Sequence, residues 1–244
     1  MRINKYLSSC GICSRREADR LISDGRVTID GRPARPGDQA EKGMTVCLDG
    51  KPVEPLAQKT YLAFYKPRGI VCTASRKEPD NIIDYLNYPV RLTYAGRLDK
   101  WSEGLILMTD DGELIDRIMS AGDFHEKEYE VTVNEQVRPE DLARMERGVY
   151  LPDLNRTTRP FRARMLDDHR FRIILTEGMN REIRRICDRY GYRISKLKRV
   201  RVMNILLGSL RPGEYRKLTA GEIRELKDRS ERSGSLKNGR NRES

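Results

Sequence analysis

The sequence predicts an α+β chain in two parts: a small, turn-rich N-terminal unit, then a larger domain with a mixed, mainly antiparallel sheet flanked by helices. Three observations carry this reading. Two similar octets, "VTIDGRPA" (27–34) and "VCLDGKPV" (46–53), each set Asp-Gly between β-favouring residues, the signature of a short hairpin. From Tyr61 onward, short apolar runs of strand character alternate with amphipathic helical stretches. Residues 128–134 and 170–175 alternate apolar and polar side chains, which favours antiparallel or mixed pairing over a parallel sheet buried on both faces.

In chain order, Ile3, Leu7 and Cys10 have the spacing of a short first helix. Ser14 precedes Glu17 by three, a capping box opening a helix through Ala18, Leu21 and Ile22 that stops at Gly25. Arg15 and Arg16 occupy its first turn, where the helix dipole favours negative charge. Cations there suit a phosphate drawn by both them and the free N–H groups. With the two octets they complete a first unit over residues 1–56. "VEPLAQKT" (53–60) reads as connecting chain, with the linker proper at 57–60. The second domain spans 61–227. Strands are expected at "YLAFYK", "GLILMT", "EYEVTV", "FRARML", "RFRIILT" and "SKLKRVRV", and helices at 112–120, 138–147 and 181–190. The basic, polar tail "DRSERSGSLKNGRNRES" (228–244) has few apolar residues and is expected to be disordered.

Of the 244 residues 37% are hydrophobic and 35% charged, so the core is modest and the surface polar. No run of 18 apolar residues exists, and "MRINKYLSSCG" lacks a signal peptide's apolar middle. A soluble, cytoplasmic, monomeric chain without a membrane partner is therefore expected. Five scattered cysteines fit a reducing compartment better than a disulfide framework. The 48 Lys and Arg exceed the 37 Asp and Glu by 11, and the excess is concentrated. Residues 181–201, "REIRRICDRYGYRISKLKRVR", hold nine cations against Glu182 and Asp188. Such a field is the footprint of a polyanion site, although a solvated basic face has the same composition. Arg181 and Arg185, at i,i+4 on a helix, would repel without an anion between them.

Several chemistries lack support. The only histidines are His125 and His169, and Cys10–Cys13 has no second pair at zinc spacing, so no metal is expected. Cys10 is better explained by packing. Neither G-x-G-x-x-G nor a Walker loop is present, and "KPRG" (66–69) lacks phosphate-loop spacing, so no cofactor is expected. What remains is an acid with some arginines and a tyrosine. In "GRLDKWSEGLILMTDDG" (96–112), Arg97 and Asp99 lie two apart and share a side of an extended segment. Tyr129 shares a face with Val131 and Val133. Arg184 sits on a helix whose Ile183, Ile186, Cys187 and Tyr190 form the apolar stripe. An Asp at the edge of a core must be paired or neutralised. An arginine partner favours its carboxylate form, a potential nucleophile or base. Taken singly, each residue also has a plain reading: Asp99 a structural salt bridge, Tyr129 a core aromatic, Arg184 a phosphate contact.

The first unit, "SDGRVTIDGRPAR" with its capped basic helix, resembles the small αL-type RNA-binding module of ribosomal proteins and RNA-modifying enzymes. "GRLDKWSEGLILMTDDG" resembles the "GRLDxxTxGLLLLTNDG" signature of the RsuA/RluB/RluE/RluF branch of pseudouridine synthases. Four further pieces fit in order: "YLAFYKPRGIVCT", "HEKEYEVTV", "EGMNREIRRIC" and "LKRVRVMNILLGSLRPGEYRKLT". "DFHEKEYEVTV" and "GMNREIRRIC" look most like the RluF subgroup, with RluB the near alternative.

The resemblance implies that Asp99 is catalytic, that Tyr129 packs on the target base and that Arg184 pairs with the carboxylate. Arg97 would hold the space left by a flipped nucleotide or contact its backbone. Arg2, Lys5, Arg15 and Arg16, with Arg181, Arg185, Lys196, Lys198 and Arg199, would grip phosphates. The implied activity converts a uridine to pseudouridine by base flipping, without metal or cofactor. The implied partner is structured RNA, 23S ribosomal RNA or a pre-ribosomal particle before others, with small-subunit ribosomal RNA and transfer RNA left open. Trp101, Ser102, Met108 and Glu182 depart from the family pattern. Trp101 reads as packing in preference to a stacking surface, and Glu182 replaces an amide donor with a negative charge beside Arg181. Two other functions compete. A non-catalytic RNA-binding or ribosome-assembly protein explains the charge equally well but not the placement of Asp99, Tyr129 and Arg184. An RNA methyltransferase lacks a methyl-donor loop.

Overall fold

The computed structural model describes residues 1–75, 77–120 and 125–240. Asp123 and Phe124 of "DFHEKEYEVTV" and the last four residues of the tail lie outside the described residues. The chain opens with α1 (Ile3–Ser9) and α2 (Arg15–Ser23), then β1 (Val27–Ile29), β2 (Arg32–Pro33), β3 (Val46–Leu48) and β4 (Lys51–Pro52). These strands form a sheet of order β2-β1-β3-β4 over a core that includes Ile3, Leu7, Ala18, Ile22, Val27, Ile29 and Val46. The capping box closes as expected: Ser14 Oγ accepts the Glu17 N–H at 3.1 Å. Both Asp-Gly pairs make hairpin turns. Asp30 and Gly31 have φ of 48° and 81°, and Asp49 and Gly50 have 50° and 75°. Two successive left-handed residues give the turn whose twist matches that of antiparallel strands.

The second domain follows as β5 (Tyr61–Lys66), α3 (Ile82–Leu86), β6 (Thr93–Ala95), β7 (Glu103–Thr109), α4 (Gly112–Ser120) and β8 (Lys127–Val133). Next come α5 (Pro139–Met145), β9 (Tyr150–Leu151), β10 (Arg156–Thr157), β11 (Arg162–Asp167) and β12 (Arg170–Leu175). The described chain ends with α6 (Glu182–Arg189), β13 (Ile194–Val202), β14 (Ile205–Leu206), β15 (Tyr215–Lys217) and α7 (Ala220–Arg240). Its main sheet has the order β11-β12-β8-β13-β7-β5-β15, with β6 on β7 and β14 on β13. The sheet is mixed, as read from the sequence. Every pairing is antiparallel except β13 with β7, where Lys198 faces Glu103 and Arg199 faces Gly104. That parallel seam joins two antiparallel halves. β5 and β7, on one side of it, are buried along their whole length. β8 and β12, on the other, keep the alternation that predicted them.

The tail departs from expectation, because α7 runs through Arg240 instead of leaving residues 228–240 disordered. The helix is nucleated on the domain. Thr219 and Glu222 form a reciprocal capping box, and Arg216 clasps the Glu222 carboxylate at 2.7 and 2.9 Å. Leu226 is buried in the core, and Arg117 reaches Glu231 at 2.9 Å. Nucleation is the unfavourable step in helix formation, so a helix anchored this way extends into sequence that would not start one.

The first unit rests against α4. Lys5 meets Glu113 at 2.7 Å and Arg15 meets Asp116 at 3.5 Å. The field at the start of α2 is thus met by a carboxylate of the protein itself.

The seam depends on one glycine. Gly104 has φ of 107°, and a Cβ there would lie 2.2 Å from the Arg199 carbonyl oxygen and 2.7 Å from its nitrogen. Gly104→Ala should therefore lower stability by about 3 kcal/mol or more through combined clash and backbone strain, read as a fall in the urea midpoint.

Candidate active site

Asp99 lies in the loop between β6 and β7, and that loop is tied down on every side. The Leu98 N–H donates to Cys72 Sγ at 3.3 Å, and the Gly69 N–H to the Lys100 carbonyl at 2.8 Å. The Ser102 N–H donates to the Asp99 carbonyl at 3.1 Å, closing a turn around the acid. From β13, Arg199 reaches across the seam: its Nε donates to the Leu105 carbonyl at 2.7 Å and one terminal nitrogen lies 3.5 Å from the Arg97 carbonyl. Fixing the backbone on both sides of Asp99 holds its carboxylate in place without a bond to the carboxylate itself.

Two arginines from the start of α6 face that carboxylate. Arg184 Nε is 3.5 Å and an Arg181 terminal nitrogen 3.8 Å from Asp99 Oδ2. Arg184 also donates to Ser102 Oγ at 3.2 Å, so the Ser that departs from the family's Thr supplies the hydroxyl that orients it. Arg181 has φ of 53°, a left-handed residue at the helix start that turns its side chain toward the loop. The Asp99 side chain keeps 34% of its exposure, so it is held and still reachable.

These groups line a cavity of about 680 Å³, together with Arg97, Lys100, Tyr129, Arg156, Met179 and Asn180. That lies within the range of about 300–1,000 Å³ typical of small-molecule sites. Tyr129 is half-buried between two apolar clusters, opposite Arg199 on one flank and Ile173 on the other. The four residues that the sequence singled out in three separate stretches, Arg97, Asp99, Tyr129 and Arg184, therefore share one cavity.

The cations divide less simply. Arg2, Arg16 and Arg97 are exposed. Lys5 and Arg15 are committed to the acids of α4. Arg181 and Arg185 need no anion between them, since Arg181 turns to Asp99 and Arg185 to Asp153. Lys196 pairs with Glu103 at 2.9 Å, and Lys198 lies 5.7 Å over the Tyr65 ring. Arg199 is not the surface phosphate contact expected: it is 1% exposed at the inner wall of the cavity, and its Nε donates to the Leu105 carbonyl. The strand's own period held the clue, because Arg199 shares a face with the buried Leu197. Trp101 is a second correction. It is 59% exposed, next in the chain to Asp99 and Lys100, so it does not serve packing.

Two features escaped sequence reasoning. Lys66 of "KPRG" is fully buried at the end of β5, with Nζ donating to the Pro67 carbonyl at 2.8 Å and lying 3.4 Å from that of Lys100. Burial brings its pKa down to about 8, against the opposing pull of Cys72, Asp99 and Glu103. Glu182, read as a charge beside Arg181, is instead buried against Glu177 at the cavity wall.

Known proteins are similar to this chain in sequence and in fold. Residues 1–46 match the S4 domain family, and residues 60–189 match the family described as RNA pseudouridylate synthase. The dual-specificity RNA pseudouridine synthase RluF of Escherichia coli (strain K12) is 43% identical over 237 residues, covering 96% of this chain and 81% of that protein. An uncharacterized RNA pseudouridine synthase of Aquifex aeolicus (strain VF5) is 36% identical over 93% of this chain and 96% of its own. The ribosomal small subunit pseudouridine synthase A of Yersinia pestis is 34% identical over 91% and 97%. A crystal structure of a pseudouridylate synthase superposes with a TM-score of 0.67 at 29% identity, covering 93% of this chain and 99% of that one. An acid presented by a pinned loop, two arginines on it and an S4 domain in front thus occur together in a chain that belongs to the RNA pseudouridylate synthase family.

Proposed function

We propose that this synthase isomerises a uridine of structured ribosomal RNA, in the large subunit, with Asp99 as the catalytic residue. The observation that carries the reading is the Asp99 carboxylate set between Arg181 and Arg184 at the wall of a nucleoside-sized cavity. Pseudouridine formation breaks the bond from uracil N1 to the ribose, turns the ring and rejoins it through C5. A base inside a stack cannot be reached, so the nucleotide flips into the cavity, and pocket contacts offset an unstacking cost of a few kcal/mol. Tyr129 supplies a ring for the uracil to lie against. Arg97, exposed on the rim, suits the phosphates on either side.

A carboxylate held there can add to the ribose carbon, add to uracil C6 or take a proton from the ribose. In each case its position must survive the arrival of RNA, which the pinned loop favours. The RNA class rests on the similarity to RluF and on the S4 domain, whose exposed Arg2 and Arg16 add positive charge.

Two outcomes test the reading. With RNA tritiated at uracil C5 and no methyl donor, the parent should release label into water and Asp99→Ala should lose more than about 1,000-fold of that rate, while still binding RNA. Large-subunit, small-subunit and transfer RNA are compared as substrates. Binding without release on all three would favour a non-catalytic RNA-binding protein. Trp101, exposed between the cavity-lining Lys100 and Ser102, should stack on a base next to the target. Trp101→Ala should weaken RNA binding by about 1–3 kcal/mol and leave the slope of affinity against salt unchanged, since no charge is lost.

A further inference from the structure

Glu177 and Glu182 are 5% and 4% exposed, and both line the cavity wall beside the arginines that face Asp99. Glu177 is well supplied: its Oε1 accepts the Arg159 N–H at 2.6 Å and its Oε2 lies 3.3 Å from an Arg156 nitrogen. Glu182 is not. Its Oε2 accepts the Met179 N–H at 3.0 Å, while its Oε1 is buried with no donor in reach among the described residues. Burial beside the Glu177 carboxylate disfavours the charged form of Glu182. A proton on Glu182 resolves both problems, because Oε1 then donates to Glu177 and stops being an orphan.

Backbone and side-chain bonds around Glu182 close a short loop. The Glu182 N–H donates back to the Met179 carbonyl at 3.2 Å, and Arg185 Nε donates to the Asn180 carbonyl at 3.0 Å. This loop carries Arg181 and leads into α6, which carries Arg184, and both arginines face Asp99.

We infer that Glu182 is a positioning residue that acts as a neutral acid, its carboxyl proton bridging to Glu177 and holding the 177–182 loop so that Arg181 and Arg184 face Asp99. Burial first, and Glu177 second, raise its pKa from 4.5 to about 8, against the opposing pull of Lys127 on β8. Among the described residues, the charged groups facing the pair from other elements include Lys127 and, through Glu177, Arg156 of β10 and Arg159. The sign follows. Between pH 4.5 and about 8 the folded chain holds a proton that the unfolded chain has lost, so this group's contribution to stability falls as pH rises through that window. Above it, two adjacent negative charges loosen the loop, and activity falls with the protonated fraction.

The inference rests on the activity proposed above, so its test has two readouts. Tritium release and urea stability are followed from pH 6.5 to 9.5 for the full-length parent, Glu182→Gln and Glu182→Ala. Gln offers the same acceptor to Met179 and a permanent N–H donor to Glu177. The ratio of parent to Glu182→Gln activity should therefore fall about 10-fold from well below pH 8 to pH 9. The parent should also lose stability relative to Glu182→Gln over pH 6.5–8. Glu182→Ala should be slow at every pH. Parallel pH profiles for parent and Glu182→Gln would overturn the inference, as would a loss of activity in Glu182→Gln at pH 6.5 as deep as in Glu182→Ala. If no variant releases tritium, the stability comparison still tests the shared proton, and the failure belongs to the proposed activity.

Discussion

The second domain depends on the parallel contact between β7 and β13 at Gly104 and Arg199. Antiparallel strands can be joined by tight turns, whereas a parallel pair requires the chain to cross over, so this seam is where distant parts of the sequence must agree. The backbone of Gly104 comes so close to Arg199 that no side chain fits between them. The same closeness lets the Arg199 guanidinium bridge to Leu105 and toward Arg97. The contact that joins the two halves of the sheet thus also fixes the loop that presents Asp99.

Charge is used in three ways along the basic stretch 181–201. Arg181 and Arg184 turn to the cavity and its carboxylate. Arg193 and Arg201 are spent on Glu135 and on Glu126 with Glu128, pairs that tie neighbouring strands and loops. Arg199 is buried in the seam. A net positive chain can steer a polyanion toward its site. The few cations facing the cavity are the ones that can act on a bound nucleotide, because a pair away from water is screened less than a pair in it. The exposed bridges at Lys5 and Arg15 contribute little stability of their own. Their value lies in orienting the S4 domain against α4.

Local signals were legible wherever a short-range rule sets the backbone. Asp-Gly requires two left-handed residues and so marks both hairpins. Ser14 with Glu17 marks a helix start, and apolar spacing distinguishes α4, α5 and α6 from the strands. The motif order placed Asp99, Tyr129 and Arg184, because each sits in a run of residues that resembles a family pattern. Glu182 was legible as a departure but not as a buried acid. It lies at the edge of the helix's apolar stripe, and only the approach of Glu177 and Met179 decides its surroundings.

The sequence by itself determined the element types, the two-part organisation, the mixed sheet and the acid at the strand's rim, since these follow from periods and caps spanning fewer than ten or so residues. The tertiary structure alone decided which cations meet solvent, which carboxyl is left without a donor and where the tail helix is nucleated. Arg199 and Lys198 are neighbours with the same charge, yet one is sealed in the seam and the other lies over Tyr65. Strand alternation puts them on opposite faces of β13, and only the elements packed on each face decide which of the two is sealed.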